Sequence, residues 1–249
     1  MSVCEDGIVS NLVASLYDLP VLSYDTAWRF QKALVEQAME RADSNALLLL
    51  EHEPVFTLGR TTQLAHYGSH VDFLRQKGFP VQSIERGGSV TYHGPGQIVG
   101  YPILRLRNFC SGPKTYMHML EEVIIRVLAE WGIEGRRVEN YVGVWVKTPI
   151  DSHGQSAKIA SMGVRIERGI TMHGFALNVT TDLKPFEYIV PCGIEGCRVT
   201  SMAKELFESP DLEIVRGRLV HHFAQVFGLE WEEVIREIPA NAHSLLQSG

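Results

Sequence analysis

The sequence predicts an α+β fold, a mixed and largely antiparallel sheet flanked by helices, and three patterns carry that prediction. Strand-forming runs at Val81–Ile84, Ser89–Tyr92 and Ile98–Leu104 follow one another with no helix between them, which suits antiparallel neighbours better than parallel crossover units. A second series, Tyr141–Val146, Ala157–Glu167 and Ile170–Val179, has its last two members meeting at a hairpin turn at Arg168-Gly169. Helices over Asp25–Ala42, from Pro113 to Gly132 and over Leu212–Phe227 each carry one apolar stripe, so each has a single face to lay on a sheet.

Taken in order, a short strand around Leu12–Tyr17 precedes the first helix, whose inner face is Ala27, Phe30, Leu34 and Ala38. Ala46–Leu50 and Val55–Leu58 read as buried strands split by Glu53-Pro54, and Ser69–Lys77 as a short helix capped by Ser69 and stopped at Gly78. Proline suits the first helical turn, so Pro113 opens the strongest helix, with Tyr116, Leu120, Val123, Val127 and Trp131 in register; it reads as scaffold. The polar loop Thr148–Ser156 leads directly to Lys158 and reads as a flap over whatever Lys158 serves. A helical tail is expected, Val215, Leu219, Phe223 and Val226 lining its first helix and Trp231–Glu237 forming a second, with the last dozen residues frayed.

With 249 residues the chain suffices for one sizeable core, and its net charge of -6 offers no general surface for nucleic acid. The longest purely aliphatic run, Ala46–Leu50, is far too short for a membrane span, and Glu5 and Asp6 occupy the place where a signal peptide needs positive charge. A cytoplasmic location without membrane or nucleic-acid partners is expected. Cys4, Cys110, Cys192 and Cys197 make neither a disulfide framework nor a zinc pair. His66 and His70 have metal-ligand spacing only on a helix that Gly68 and Ser69 interrupt, and His221-His222 and His118 read as helix packing.

The unusual residues concentrate in Arg86-Gly87-Gly88-Ser89-Val90-Thr91-Tyr92-His93-Gly94-Pro95-Gly96-Gln97, with four glycines and a proline in twelve positions. Glycine is kept where φ must be positive or where a ligand must reach the main chain. The segment reads as a turn, a short strand and a second turn, with Arg86, Tyr92, His93 and Gln97 lining a cleft; a glycine-rich hairpin without a ligand fits the same residues. His93 and His173, each beside a glycine, are placed in that cleft too.

Cys192 stands in Pro191-Cys192-Gly193-Ile194, where proline fixes the approach and Gly193 leaves the following amide open to a small ligand. A thiol of ordinary pKa, about 8.5, is only about 3% ionised at pH 7, so a nucleophile there needs a cation nearby. Lys158 lies in an apolar strand beside Ile159, Ala160, Met162 and Val164, an anomalous place unless it is paired or functional. A buried structural cysteine and an edge-strand lysine remain the alternatives.

Together, Arg86–Gln97 with Tyr101-Pro102, Lys158–Arg165, His173–Asn178, and Pro191–Ile194 with Val199–Ser201 resemble the lipoyl(octanoyl) transferases, in four ordered blocks covering about half of the chain. The resemblance implies the fold of biotin- and lipoate-protein ligases over one catalytic domain, 1–249. It implies transfer of octanoyl from octanoyl-acyl carrier protein to a lysine of lipoyl domains, those of 2-oxoacid dehydrogenase E2 subunits and the glycine cleavage H protein, with no cofactor and no metal. Cys192 would be the acyl-thioester nucleophile and Lys158 the residue that lowers its pKa. Arg86, Gly87, Gly88, Ser89, Val90, Thr91, Tyr92 and His93, with Ser161, Met162, Gly163, Gly174, Phe175 and Ala176, would surround the acyl chain and thioester carbonyl. Met162 replaces an expected branched aliphatic. An ATP-dependent lipoate ligase of the same fold and a non-catalytic acyl-binding protein are the alternatives.

Overall fold

A computed structural model describes residues 12–41, 43–67, 70–147 and 156–239. The first part of the chain alternates strands with helices: β1 (Leu12–Leu22), α1 (Tyr24–Glu40), β2 (Ala46–His52), β3 (Val55–Leu58), α2 (Leu64–Tyr67), α3 (His70–Gln76) and β4 (Val81–Ser83). Then come β5 (Val90–His93), β6 (Gln97–Ile103), α4 (Pro113–Glu130), β7 (Gly135–Val138), β8 (Tyr141–Lys147), β9 (Ser156–Glu167) and β10 (Ile170–Asn178). The chain continues through β11 (Arg198–Val199), α5 (Met202–Leu206), α6 (Leu212–Phe227) and β12 (Leu229–Ile235).

Sequence alone accounts for most of these boundaries. Ser23 caps α1 through its hydroxyl, which accepts from the Thr26 amide at 3.2 Å. Gly132, at a φ of 71°, follows the end of α4, and Asp211 caps α6 by accepting from the Glu213 and Ile214 amides. Arg168 and Gly169 both adopt positive φ, as a two-residue hairpin between β9 and β10 requires. The Ser69 cap and residues 148–155 of the polar loop lie outside the described residues, as does most of the tail expected to fray.

The large sheet runs β12-β1-β2-β6-β10-β9-β8-β7, with β11 added to β9. It is mixed and largely antiparallel: β1 is parallel to β2 and β12, and β11 to β9, whereas every pairing from β2 to β7 is antiparallel. Strand period decides which face each residue supplies. Leu47 and Leu49 of β2 join α4 and α6 in one core, and Leu48 and Leu50 meet Phe30, Leu34 and Ala38 of α1 in the other. A small sheet, β4-β3-β5, closes a third cluster around Phe56, Val90 and Tyr92. Among the described residues no helix is long and apolar enough to cross a membrane.

Two expectations are corrected. Trp231–Glu237 is not a second helix: Leu229–Ile235 is a strand, drawn into parallel register with β1 from Leu12↔Leu229 to Tyr17↔Ile235. Its four glutamate and tryptophan-rich positions favour no state strongly, so the open edge of β1 decides. The strands around Val81, Ser89 and Ile98 are not consecutive antiparallel neighbours either. β3 lies between β4 and β5, parallel to the former and antiparallel to the latter, and β6 belongs to the large sheet.

One buried cation fastens α6 to the sheet. Arg216 donates to the Asp18 carboxylate and from Nη2 to the carbonyls of Leu19 (2.9 Å) and Leu49 (3.0 Å). Removing it takes this donor from two carbonyls in a nearly dry place and leaves the Asp18 carboxylate to the exposed Arg236. Arg216→Ala is expected to cost about 3–5 kcal/mol in urea unfolding, whereas Arg218→Ala, which breaks an exposed pair with Glu130, produces a much smaller shift of midpoint.

Candidate active site

β9 carries the site because its two edges are treated differently along its length. Through Ala160 it is paired with β8, and from Ala160 onward with β10 on the other edge. On the β8 side the next main-chain partner is Gly87, whose amide donates to the Val164 carbonyl at 3.0 Å. Between those two contacts, at Ser161, Met162 and Gly163, opens a cavity of about 260 Å³.

The 86–88 loop can lie this close only because Gly163 lacks a side chain: a Cβ there would stand 2.7 Å from the Gly87 carbonyl oxygen and 3.1 Å from Arg86 Cδ. Arg86 folds back under its own loop, donating from Nη2 to Thr57 O and Thr57 Oγ1, both at 2.9 Å, and from Nη1 to Gly87 O at 3.0 Å. Burial works against its charge, and the Tyr24, Cys192 and Tyr101 groups work for it.

Strand parity then sorts the next residues. Ser89, Thr91 and His93 face the cavity; Val90 and Tyr92 point the other way, into the cluster with Phe56. Val90 and Tyr92 are thus corrected from lining residues to core, and Gly87 to a docking point on β9. Gln97 does not line the cavity either. It accepts from His93 Nδ1 through Oε1 at 2.7 Å and donates through Nε2 to Tyr92 O and Asn178 Oδ1, which fixes the His93 ring. The remaining expected residues do converge: Arg86, Gly88, Ser161, Met162, Gly163, Gly174, Phe175, Ala176, Lys158 and Cys192 all border the same space.

Lys158 is buried, at 3% exposure. Its stem crosses Gly143, which at a φ of 120° carries no Cβ; one would stand 3.1 Å from Lys158 Cε. Its Nζ lies over the Trp145 ring, 4.9 Å from the centre. Gly143 is itself held from α4, where buried Glu121 accepts its amide at 3.1 Å and also takes Arg137 Nε. The helix read as scaffold therefore reaches the site through one carboxylate.

Cys192 adopts φ 57° and ψ 14°, a left-handed conformation uncommon for a residue with a side chain. The turn is held by Gly193 N–H to Val190 O (2.9 Å), Ile194 N–H to Pro191 O (3.1 Å) and Val190 N–H to His66 O (2.9 Å). The Gly193 and Ile194 amides are thus committed within the turn, which corrects the expectation that an open amide follows the cysteine. Sγ lies 3.7 Å from Ser161 Oγ. Cys197 is a poor rival, because burial pushes its thiol up to about 11 although Lys158 opposes the shift.

Several neighbours were not read from the sequence. Tyr24, Val99 and Tyr101 close the inner end, Asn140, Tyr141 and Val142 the rim, and Ile194 the side beside Cys192. His66, on a helix too short to show periodicity, has its ring against Gly193 and Nδ1 2.6 Å from Ser89 Oγ. The inner end is a packed group of histidines and tyrosines. His52 Nε2 meets Tyr101 OH at 2.7 Å, and His173, at a φ of 59°, has neither ring nitrogen hydrogen-bonded among the described residues.

Comparison with known proteins bears on the family and the fold. Residues 23–224 match the model of the lipoyl protein ligase A/B catalytic domain. The chain is 43% identical over 224 residues to an octanoyltransferase of Acidobacterium capsulatum, covering 87% of this chain and 89% of that one. It is 45% identical over 214 residues to an octanoyltransferase of Thermosynechococcus vestitus, covering 86% and 89%. Its fold is similar to that of a lipoate-protein ligase A bound with ATP (TM-score 0.69, 18% identity, 94% and 92% covered). It is also similar to that of a bi-partite lipoate protein ligase from Thermoplasma acidophilum (TM-score 0.66, 17% identity, 94% and 91% covered).

The inner histidines make the fold sensitive to acid. Burial pushes both His52 and His173 down to about 4, and burial followed by the charges of His52 and Arg86 holds His93 well below its ordinary value. In the unfolded chain all three regain a pKa near 6.5 and bind protons the native state refuses. The contribution of His52 and His173 to stability is therefore full above pH ~6.5 and is lost as pH falls toward ~4, and that of His93 falls in the same direction. His52 and His173 are each expected to cost roughly 2 kcal/mol by pH 5, read as a falling urea midpoint; a midpoint flat between pH 6.5 and 5 would contradict their burial as neutral rings.

Proposed function

The chain belongs to the lipoyl protein ligase A/B catalytic-domain family, and from that membership we propose that it is an octanoyltransferase of protein lipoylation whose nucleophile is Cys192. It is an acyltransferase, as its curated relatives are. The donor is octanoyl-acyl carrier protein and the acceptor a lysine of a lipoyl domain. The observation that carries the reading is the meeting of Cys192, in its left-handed turn, with Lys158 on the wall of one partly apolar cavity. Val99, Met162, Phe175 and Ala176 offer surface to an alkyl chain, and Gly88, Gly163 and Gly174 keep the space narrow but open.

The reaction runs in two steps. The Cys192 thiolate attacks the carrier's thioester, and Lys158 yields its proton to the departing thiol. Charge developing on the carbonyl oxygen is met by Ser161 Oγ and the Lys158 ammonium rather than by the Gly193 amide, which is already engaged. The acceptor amine then attacks the acyl-enzyme, with Lys158, neutral once Cys192 is acylated, as base. Thioester exchange is nearly balanced and amide formation from a thioester is downhill, so the sequence of steps requires neither ATP nor a metal.

Mixed with octanoyl-acyl carrier protein without ATP, the protein is expected to gain an octanoyl mass, and Cys192→Ser to gain none. Lys158→Arg keeps the charge but can neither yield a proton to the departing thiol nor act as base, so it is expected to gain the octanoyl group more slowly and, once acylated, to pass it on roughly 100-fold more slowly. Transfer that needs ATP and free fatty acid, and no adduct on Cys192, would make the protein a ligase instead.

A further inference from the structure

We propose that Ser89 and His66 form a relay that carries one proton out of the cavity in each turnover, Ser89 meeting the attacking amine and His66 acting through it. The inference rests on the acyl-transfer reading above and concerns its second step. An acceptor lysine, with a pKa of about 10.4, arrives as an ammonium and ends as an amide nitrogen bearing one hydrogen. Two protons must leave it. As the C–N bond forms and the C–S bond to Cys192 breaks, the electron pair of the latter stays on Sγ as thiolate. Lys158, left neutral by the first step, takes one of the protons and again stands as ammonium beside the thiolate. That pair has no place for the other.

The other, the ammonium proton that must leave first, has a built exit. Ser89, 2% exposed, borders the cavity together with Cys192. Its Oγ lies 2.6 Å from His66 Nδ1, and the Gln63 amide points at the same nitrogen from 3.2 Å. A backbone N–H can only donate, so Nδ1 is the bare nitrogen of the ring and the Ser89 hydroxyl donates to it. The Ser89 oxygen therefore keeps its lone pairs for an N–H of the incoming ammonium. As Ser89 takes that proton its own moves to Nδ1, and the half-buried imidazole returns the proton to water from Nε2, a task to which histidine is suited near neutral pH.

The His66 ring is held for this. Its carbonyl accepts the Val190 amide at 2.9 Å, and the ring packs so closely on Gly193 that a Cβ there would stand 2.7 Å from Cε1. A histidine serving only to brace the cysteine turn would not need its bare nitrogen directed at a hydroxyl of the cavity wall.

The test uses octanoyl-enzyme prepared beforehand and single-turnover transfer. From the octanoyl-enzyme, Ser89→Ala and His66→Ala are expected to lose roughly 100-fold in transfer to the lysine of a lipoyl domain. Both should react at the wild-type rate with hydroxylamine, which is uncharged at neutral pH and has no first proton to lose; added imidazole should restore part of the lysine transfer in His66→Ala. Equal losses toward lysine and hydroxylamine, or no loss toward lysine, would overturn the relay. If His66→Ala does not fold, His66→Gln, which refills the space beside Gly193, takes its place with the same expectation. An acyl-enzyme missing from the wild type as well would instead remove the acyl-transfer reading on which the relay rests.

Discussion

The site depends on a strand that changes partners. β9 is held on one edge by β8 as far as Ala160 and next by the Gly87 amide at Val164, and the few residues between border the cavity. A sheet does not tolerate such a gap by itself, because unpaired main chain in a dry interior is costly. Here it is tolerated because a loop can lie almost on top of the strand, and the loop can do so because Gly163 has no Cβ to meet the Gly87 carbonyl. Lys158 at one end of the gap and Arg86 over the other then border the same cavity as Cys192.

The same economy governs the cysteine turn. A left-handed residue with a side chain costs of the order of 1–3 kcal/mol, and such strain persists only where the surroundings determine it fully. Hydrogen bonds within Val190–Ile194, and one from the Val190 amide to the His66 carbonyl on a separate helix, supply that determination. The consequence is a thiol presented by a rigid backbone rather than by a side chain free to turn away. It also means that the Gly193 and Ile194 amides are already engaged, and Ser161 offers a side-chain polar contact beside the sulfur.

What could be read in the sequence was what leaves a periodic or chemical trace. The apolar stripes of α1, α4 and α6 are such traces, and so is a lysine among aliphatics at Lys158 or a cysteine between proline and glycine at Cys192. Strand parity along Ser89–His93 is a trace of the same kind, and it carries Val90 and Tyr92 to the core despite the glycines around them. Long-range choices left no trace. Leu229–Ile235 is a strand because β1 offers an edge, and β5 and β6 part company at Gly94-Pro95-Gly96 into two sheets. His66 is the extreme case, since nothing local in a four-residue helix relates it to Ser89 or Gly193.

The pairing of β1 with β12 also imposes an order on how the molecule is made. β1 is among the earliest strands to be synthesised, and the edge that β12 covers stays open until almost all of the described chain has emerged. An open edge of that kind is a template for any other strand, including one on a neighbouring nascent chain. The βαβ unit of β1, α1 and β2 can settle early, because its contacts are local, whereas the last strand must find a partner more than two hundred residues back. Assembly of the sheet is thus quick at its start and slow at its close, and the ribosome, the chaperones and the chain itself must guard β1 through the interval.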